Sequence, residues 1–217
     1  MPLFKLHDDA LAPLPFRRLL RGVRALGTER LAQTYQTTFW FDLGSPTSVA
    51  EEAILELVRL LPHRRGVRGA EWWLSRMHTT DVKVDFHKDR DEVLACRGGP
   101  ERHPTFSSIL YLNRTRGGLL AVTEQEAVDE HPARAPLPLD ADLAEPAPNR
   151  YVVFPGKLTH GVLDANDAIP HRRLPGPSRL RLALVVNYWR TRPTDVPTFA
   201  ASRHYRSLAV PAARKAP

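Results

Sequence analysis

The sequence predicts a mainly β fold with flanking helices, built as an antiparallel barrel or jelly roll. Two observations carry that prediction. From residue 70 onward, short segments rich in Thr, Val and aromatic residues recur, separated by turn signals. Helical patterns precede them, within the first 62 residues. Helices first and strands after place the helices against the outside of one sheet. No internal repeat is present, so a solenoid is not expected.

The elements follow in chain order. A Pro-punctuated arm opens the chain, and residues 14–35 hold the basic, amphipathic stretch RRLLRGVRALGTERLAQTY. That stretch predicts one or two short helices, interrupted near Gly27. TYQTTFWFDLG reads as a strand on its Thr and aromatic content. SPTSVAEEAILELVRLLP is the strongest helix, with Ser45 as N-cap, Pro46 at the first helical position, and Glu51 and Glu52 early in the helix. Its apolar face is Ile54, Leu55, Leu57, Val58 and Leu61, and Pro62 ends it. AEWWLSRMHTT and DVKVDF read as strands joined by a tight turn. Trp72 and Trp73 then face opposite sides, one toward the core and one toward a pocket. TFSSILYLN, GGLLAVTEQ, RYVVFPG, KLTHGVLDA and RLRLALVVNYW complete the strand series. The Pro-rich HPARAPLPLDADLAEPAPN reads as a loop, and ASRHYRSLAVPAARKAP as a loosely held tail. The expected organisation is an N-terminal extension over residues 1–69, a β core over 70–195 and a tail over 196–217, packed as one domain.

Bulk properties narrow the class. A chain of 217 residues with 42% hydrophobic and 25% charged content is a globular protein of ordinary domain size. No apolar run reaches the ~18 residues that span a bilayer, so no membrane partner is expected. The start, MPLFKLHDDALAPLPF, lacks the apolar core of a secretory signal. A single cysteine, Cys96, excludes an intrachain disulfide and fits a reducing, cytoplasmic setting. It lies in a loop with Gly98 and Gly99 and has no partner set for nucleophilic catalysis. The net charge of +7 comes with Arg outnumbering Lys 26 to 5. Those arginines are scattered, with no basic block interleaved by aromatics, so composition explains the charge and a nucleic-acid partner is not expected.

The chemistry centres on VKVDFHKDRDE. His87 and Asp89 are two apart at the end of an expected strand, so both side chains point to one side. About one His-x-acid pair is expected by chance in such a chain. A second pair, His7 and Asp9 in the N-terminal arm, has no supporting residues and is set aside. His87 and Asp89 do have support. His160, 73 residues beyond His87, opens a strand after the Pro155-Gly156 turn; taken alone it reads equally as a turn histidine bonded to backbone. Two imidazoles and one carboxylate form the facial triad of non-haem Fe(II) oxygenases, which leaves positions open. Arg181 begins the apolar run LALVV, where a guanidinium needs a partner. A bidentate carboxylate is its best partner, no nearby acid offers itself, and a bound dicarboxylate would; the alternative is an exposed strand edge that leaves the charge in water. His78 and His103 read as exposed loop histidines, with a place near the mouth of the site as the alternative. Gly117-Gly118 reads as a strand entry, without the Lys and helix of a phosphate loop.

The ordered blocks HKD, SSILYLN, GGLLAV, RYVVFPG…HGV and RLALVVNYW resemble the 2-oxoglutarate and Fe(II)-dependent oxygenases, and among them the prolyl-4-hydroxylase-like branch. The likeness covers residues 80–190, about half the chain. It implies a double-stranded β-helix, a cupin-like jelly roll. It implies that His87, Asp89 and His160 hold Fe(II) and that Arg181 grips the far carboxylate of 2-oxoglutarate, with Arg179 as the competing anchor. Tyr111 matches a tyrosine that bonds the same carboxylate, and Asn187, of matching parity, is a further co-substrate residue. The 20 residues between His160 and Arg181 exceed the usual family spacing. This insertion contains His171, which lacks strand surroundings and is rejected as a ligand.

The implied activity is hydroxylation of an unactivated C–H bond of an amino-acid side chain, in a peptide, a protein or a free amino acid. Oxygen and 2-oxoglutarate are consumed, succinate and carbon dioxide are released, and ascorbate serves as reductant. Family halogenases lack the carboxylate that Asp89 supplies, so hydroxylation, or a related desaturation or ring closure, is the implied outcome. Two alternatives stand beside it. One is an oxygenase of a small-molecule natural product or metabolite. The other is a cupin-like metal-binding protein that does not use 2-oxoglutarate.

Overall fold

The structure is a computed structural model that describes residues 2–27, 38–78, 86–126, 141–163, 180–201 and 205–210. Among the described residues there are nine strands and three α-helices. The strands are β1 (Lys5–His7), β2 (Phe39–Phe41), β3 (Gly69–His78), β4 (Phe106–Tyr111), β5 (Leu120–Thr123), β6 (Asp142–Ala144), β7 (Arg150–Pro155), β8 (Thr159–Val162) and β9 (Leu180–Trp189). The helices are α1 (Pro13–Arg24), α2 (Val49–Leu57) and α3 (Glu92–Cys96). The larger sheet has the order β1-β7-β4-β9-β3-β2, and the smaller one β6-β5-β8. Every pairing within them is antiparallel. A mutual backbone pair between His87 and His160, 2.9 Å in each direction, adds residue 87 to the free edge of β8.

Alternation along β9 explains the layering. Leu182, Leu184, Val186 and Tyr188 turn to one side and pack with Leu19, Val23, Ile54 and Leu57 of the helices. Ala183 and Val185 turn to the other side, toward Leu120, Val122 and Ala144 of the smaller sheet. A period of two thus supplies two cores from one strand. The core on the helix side joins residues of the first 61 positions to β3, β4, β7 and β9. Trp72 lies in this core with its ring 4.9 Å from that of Phe39, while Trp73 has the opposite parity and is half-buried.

Several local expectations are corrected. The N-cap of α2 is Ser48, not Ser45: its hydroxyl accepts from the Glu51 amide at 3.1 Å. Glu51 in turn accepts from the amide and hydroxyl of Thr47, so the sequence SVAE closes the helix start. Within the expected Pro-rich loop, Asp142–Ala144 forms β6, pinned by the Leu3 amide on the Asp142 carboxylate. Three residues are too few for alternation to show in sequence. Cys96 ends α3 rather than lying in a loop, and Asp91 caps that helix through the Leu94 amide at 3.1 Å. The tail is not loose where it is described. Phe199 and Leu208 are buried in the helix-side core, and the Phe199 ring packs 5.6 Å from Trp72. The segments 28–37, 79–85, 127–140, 164–179, 202–204 and 211–217 lie outside the described residues. They include most of the VKVDF strand, the tight turn before it, His171 and Arg179. The side chain of His78 is likewise outside them. No described helix is long and apolar enough to cross a membrane.

Candidate metal centre

His160 on β8, His87 bridged to it and Asp89 in the loop that follows come together at one point. Donor atoms of the three residues all lie within 4.8 Å of one another. His87 Nε2 is 3.6 Å from Asp89 Oδ1, and His160 Nε2 is 3.5 Å from Asp89 Oδ2. Metal–ligand bonds of about 2.1 Å meeting near right angles separate neighbouring donors by about 3 Å. The observed spacing is therefore close to that of three ligands on one face of a cation. Among the described residues no other group of three such donors occurs.

Each donor is oriented by its surroundings. His160 Nδ1 lies 3.2 Å from the Leu158 carbonyl oxygen. A carbonyl only accepts, so Nδ1 carries the proton and the Nε2 lone pair faces Asp89. Burial lowers the His160 pKa, partly offset by the field of Asp89. Burial alone would raise Asp89, but His160, His87 and the Ser107 hydroxyl outweigh it and hold the carboxyl well below the usual range. Ser107 Oγ donates to Asp89 Oδ2 at 2.6 Å. His103, expected as an exposed loop residue, is half-buried and donates from Nδ1 to the Asp89 carbonyl at 2.7 Å. Gly161 follows His160 because a Cβ there would sit 2.5 Å from the Phe86 ring. Ser107 and His103 carry no sequence signal of their own; their roles arise from β4 lying beside the loop of residue 89.

Arg181 occupies the same inner face, six residues along β9 from Asn187. It is fully buried. Its Nε donates to the Gly118 carbonyl at 2.9 Å and its Nη1 lies 3.4 Å from Ser75 Oγ. Nη2 is buried without a hydrogen-bond partner, and no ion pair to Arg181 occurs among the described residues. Its guanidinium carbon stands 5.1 Å from the Tyr111 ring centroid, and the Tyr111 hydroxyl makes a long 3.4 Å contact to the Ala144 carbonyl. Burial raises the Tyr111 pKa, so the phenol stays protonated. The double glycine contributes more than strand entry. Gly117 and Gly118 both have positive φ (74° and 75°), and this turn aims the Gly118 carbonyl at Arg181. Between the two ends of the inner face lie Ile109, Val185 and Phe154, all apolar.

Asn187 pairs in register with Ser107 on one side and Glu71 on the other, and its Oδ1 is buried without a partner. Sequence reasoning missed Glu71. Its Oε2 accepts from Trp189 Nε1 at 3.1 Å, yet burial, assisted by the field of Asp89, pushes its carboxyl up to about 7. The folded protein therefore binds a proton more tightly here than the unfolded chain, whose reference value is 4.5. This contribution to stability is full below the unfolded value and is lost as pH rises through the folded one. Glu71→Gln is expected to remove up to about 3 kcal/mol of this pH dependence. Thermal midpoints measured between about pH 5 and pH 8 should fall less in the variant than in the parent.

One of three comparisons with known proteins bears on this architecture. No protein-family model and no curated protein sequence matches the chain. Solved structures do. A prolyl-4-hydroxylase from Pseudomonas putida is 20% identical at a TM-score of 0.50, covering 88% of this chain and 95% of its own. A prolyl 4-hydroxylase from Phytophthora capsici is 14% identical at 0.49, covering 91% and 61%. HygX from Streptomyces hygroscopicus, solved with nickel and 2-oxoglutarate bound, is 14% identical at 0.48, covering 91% and 84%. The likeness to the Pseudomonas structure rests on nearly the full length of both chains, and it shows that the two facing antiparallel sheets form the double-stranded β-helix of that prolyl-4-hydroxylase.

Proposed function

We propose that the protein is a 2-oxoglutarate- and Fe(II)-dependent dioxygenase that hydroxylates an unactivated C–H bond of an amino-acid side chain. The observation that carries this reading is a pairing on one inner face. A two-imidazole, one-carboxylate donor set stands at one end, and a fully buried guanidinium with an unpartnered nitrogen stands toward the other. A buried cation without an anion is costly. A dicarboxylate co-substrate supplies the missing charge, and its arrival would satisfy Nη2. A cupin-like protein that binds only a metal has no use for that arginine.

The residues fit the groups they would hold. His87, Asp89 and His160 would bind Fe(II), which supplies oxygen activation and the abstraction of hydrogen from carbon. Ser107 donates to one oxygen of Asp89 and orients the carboxylate. Gly118 and Ser75 hold the Arg181 fork, and the Tyr111 ring stacks beside it. Ile109, Val185 and Phe154 line the interior with hydrocarbon and exclude water. The choice of an amino-acid side chain as substrate is supported by the prolyl-hydroxylase order of the five sequence blocks.

Anaerobic titration with Fe(II) and 2-oxoglutarate is expected to produce a weak visible charge-transfer band. Its absence from well-folded protein refutes the assignment. Succinate release, screened with peptides, free amino acids and small metabolites, then identifies the substrate class.

A further inference from the structure

A groove of about 550 Å³ lies beside the metal centre and has a one-sided charge. Three connections form it: the residues leading into β4, the turn between β7 and β8, and the residues leaving β9. Arg102, His103, Lys157 and Arg190 line it with no carboxylate among the lining, and the exposed Pro155 adds an apolar surface over the buried Trp189. Arg102 contacts the buried Asp91 through Nη2 at 2.9 Å but leaves its Nε without a partner. Lys157 and Arg190 are exposed and make no ion pair among the described residues. The groove borders the centre directly. His103 donates to the Asp89 carbonyl, and Lys157 stands three residues before His160.

We propose that this groove docks an acidic peptide segment of the substrate, one that carries carboxylates beside apolar residues. The inference rests on the oxygenase reading and deepens it. Unpaired cations attract carboxylates and steer them at long range, while the exposed Pro155 ring offers an apolar contact. A polynucleotide is a poorer match, because its affinity comes from many phosphate contacts and this groove offers two unpaired cations. Set against the groove, an acidic segment places the neighbouring part of the same chain at the metal centre.

The test is direct binding to the full-length protein, read by fluorescence anisotropy. The probes are a fluorescein-labelled peptide rich in Glu, Leu and Pro, and the same peptide with every Glu replaced by Gln. The Glu peptide is expected to bind at least about tenfold more tightly, and the difference should shrink at high salt. The double variant K157E/R190E should abolish that preference, and K157Q/R190Q should reduce it. Both residues are exposed, and the thermal midpoint verifies folding. Equal binding of the two peptides, or full retention of the preference in K157E/R190E, overturns the proposal. So does a single-stranded oligonucleotide that binds more tightly than the Glu peptide and loses binding in the same variant. The two readings fail separately. An absent charge-transfer band with the peptide preference intact removes the oxygenase and leaves the groove, whereas a band without the preference removes the groove alone.

Discussion

Arg181→Met is expected to weaken 2-oxoglutarate binding by at least about a hundredfold, which is close to 3 kcal/mol. Isothermal titration with Fe(II) present and oxygen excluded measures it. The size follows from the setting: the guanidinium is fully buried, and its Nη2 has no protein partner. Without the dicarboxylate, the arginine is an uncompensated charge beside Tyr111, held by the Gly118 carbonyl and Ser75. A methionine of similar volume removes that charge from the interior. The ligand-free variant should therefore unfold no more readily than the parent, while the thermal shift produced by 2-oxoglutarate disappears. Arg181→Lys should fall between the two, because it keeps the charge and loses the fork. Wild-type co-substrate affinity in the Met variant would refute the role given to this arginine.

The second large effect is expected at Asp89. Asp89→Ala should lower Fe(II) affinity by well over tenfold, since removal of groups that merely orient a ligand already costs about 10–100-fold. Metal content after dialysis, measured by elemental analysis, and loss of the visible band report it. The carboxylate is the shared neighbour in the group: His87 Nε2 lies 3.6 Å from one oxygen and His160 Nε2 3.5 Å from the other. It is the one anion of the donor set, and Ser107 holds it in place. Metal retained in Asp89→Ala at the parent's stoichiometry would remove the carboxylate from the centre.

The two residues differ in how they could be read. Arg181 stood out locally, because an arginine that opens an apolar strand needs a partner if the strand is buried; the burial itself, against an exposed strand edge, was decided by the fold. The same-side placement of His87 and Asp89 was legible from a spacing of two. Ser107 was not: serine in a strand is common, and only the approach of the residue-89 loop to β4 gives it a carboxylate to hold. Glu71 was hidden for the same reason, since its raised pKa comes from what β2 and β9 lay over it. Ser48 displaced Ser45 as a cap because two serines compete within four positions and backbone geometry chooses between them.

What the sequence determined by itself were the properties that depend on neighbours along the chain. These are the strand alternation that makes β9 two-faced, the apolar stripe of α2, and the presence of His, Asp and Arg at positions 87, 89, 160 and 181. Tertiary structure alone decided what meets across the chain. It set His160 against residue 87 at the edge of β8, and it left one nitrogen of Arg181 without a partner. It also buried Phe199 and Leu208 of the tail in the helix-side core. Side-chain periodicity is set by local backbone geometry, whereas the register between distant strands is set by the packing of both faces at once.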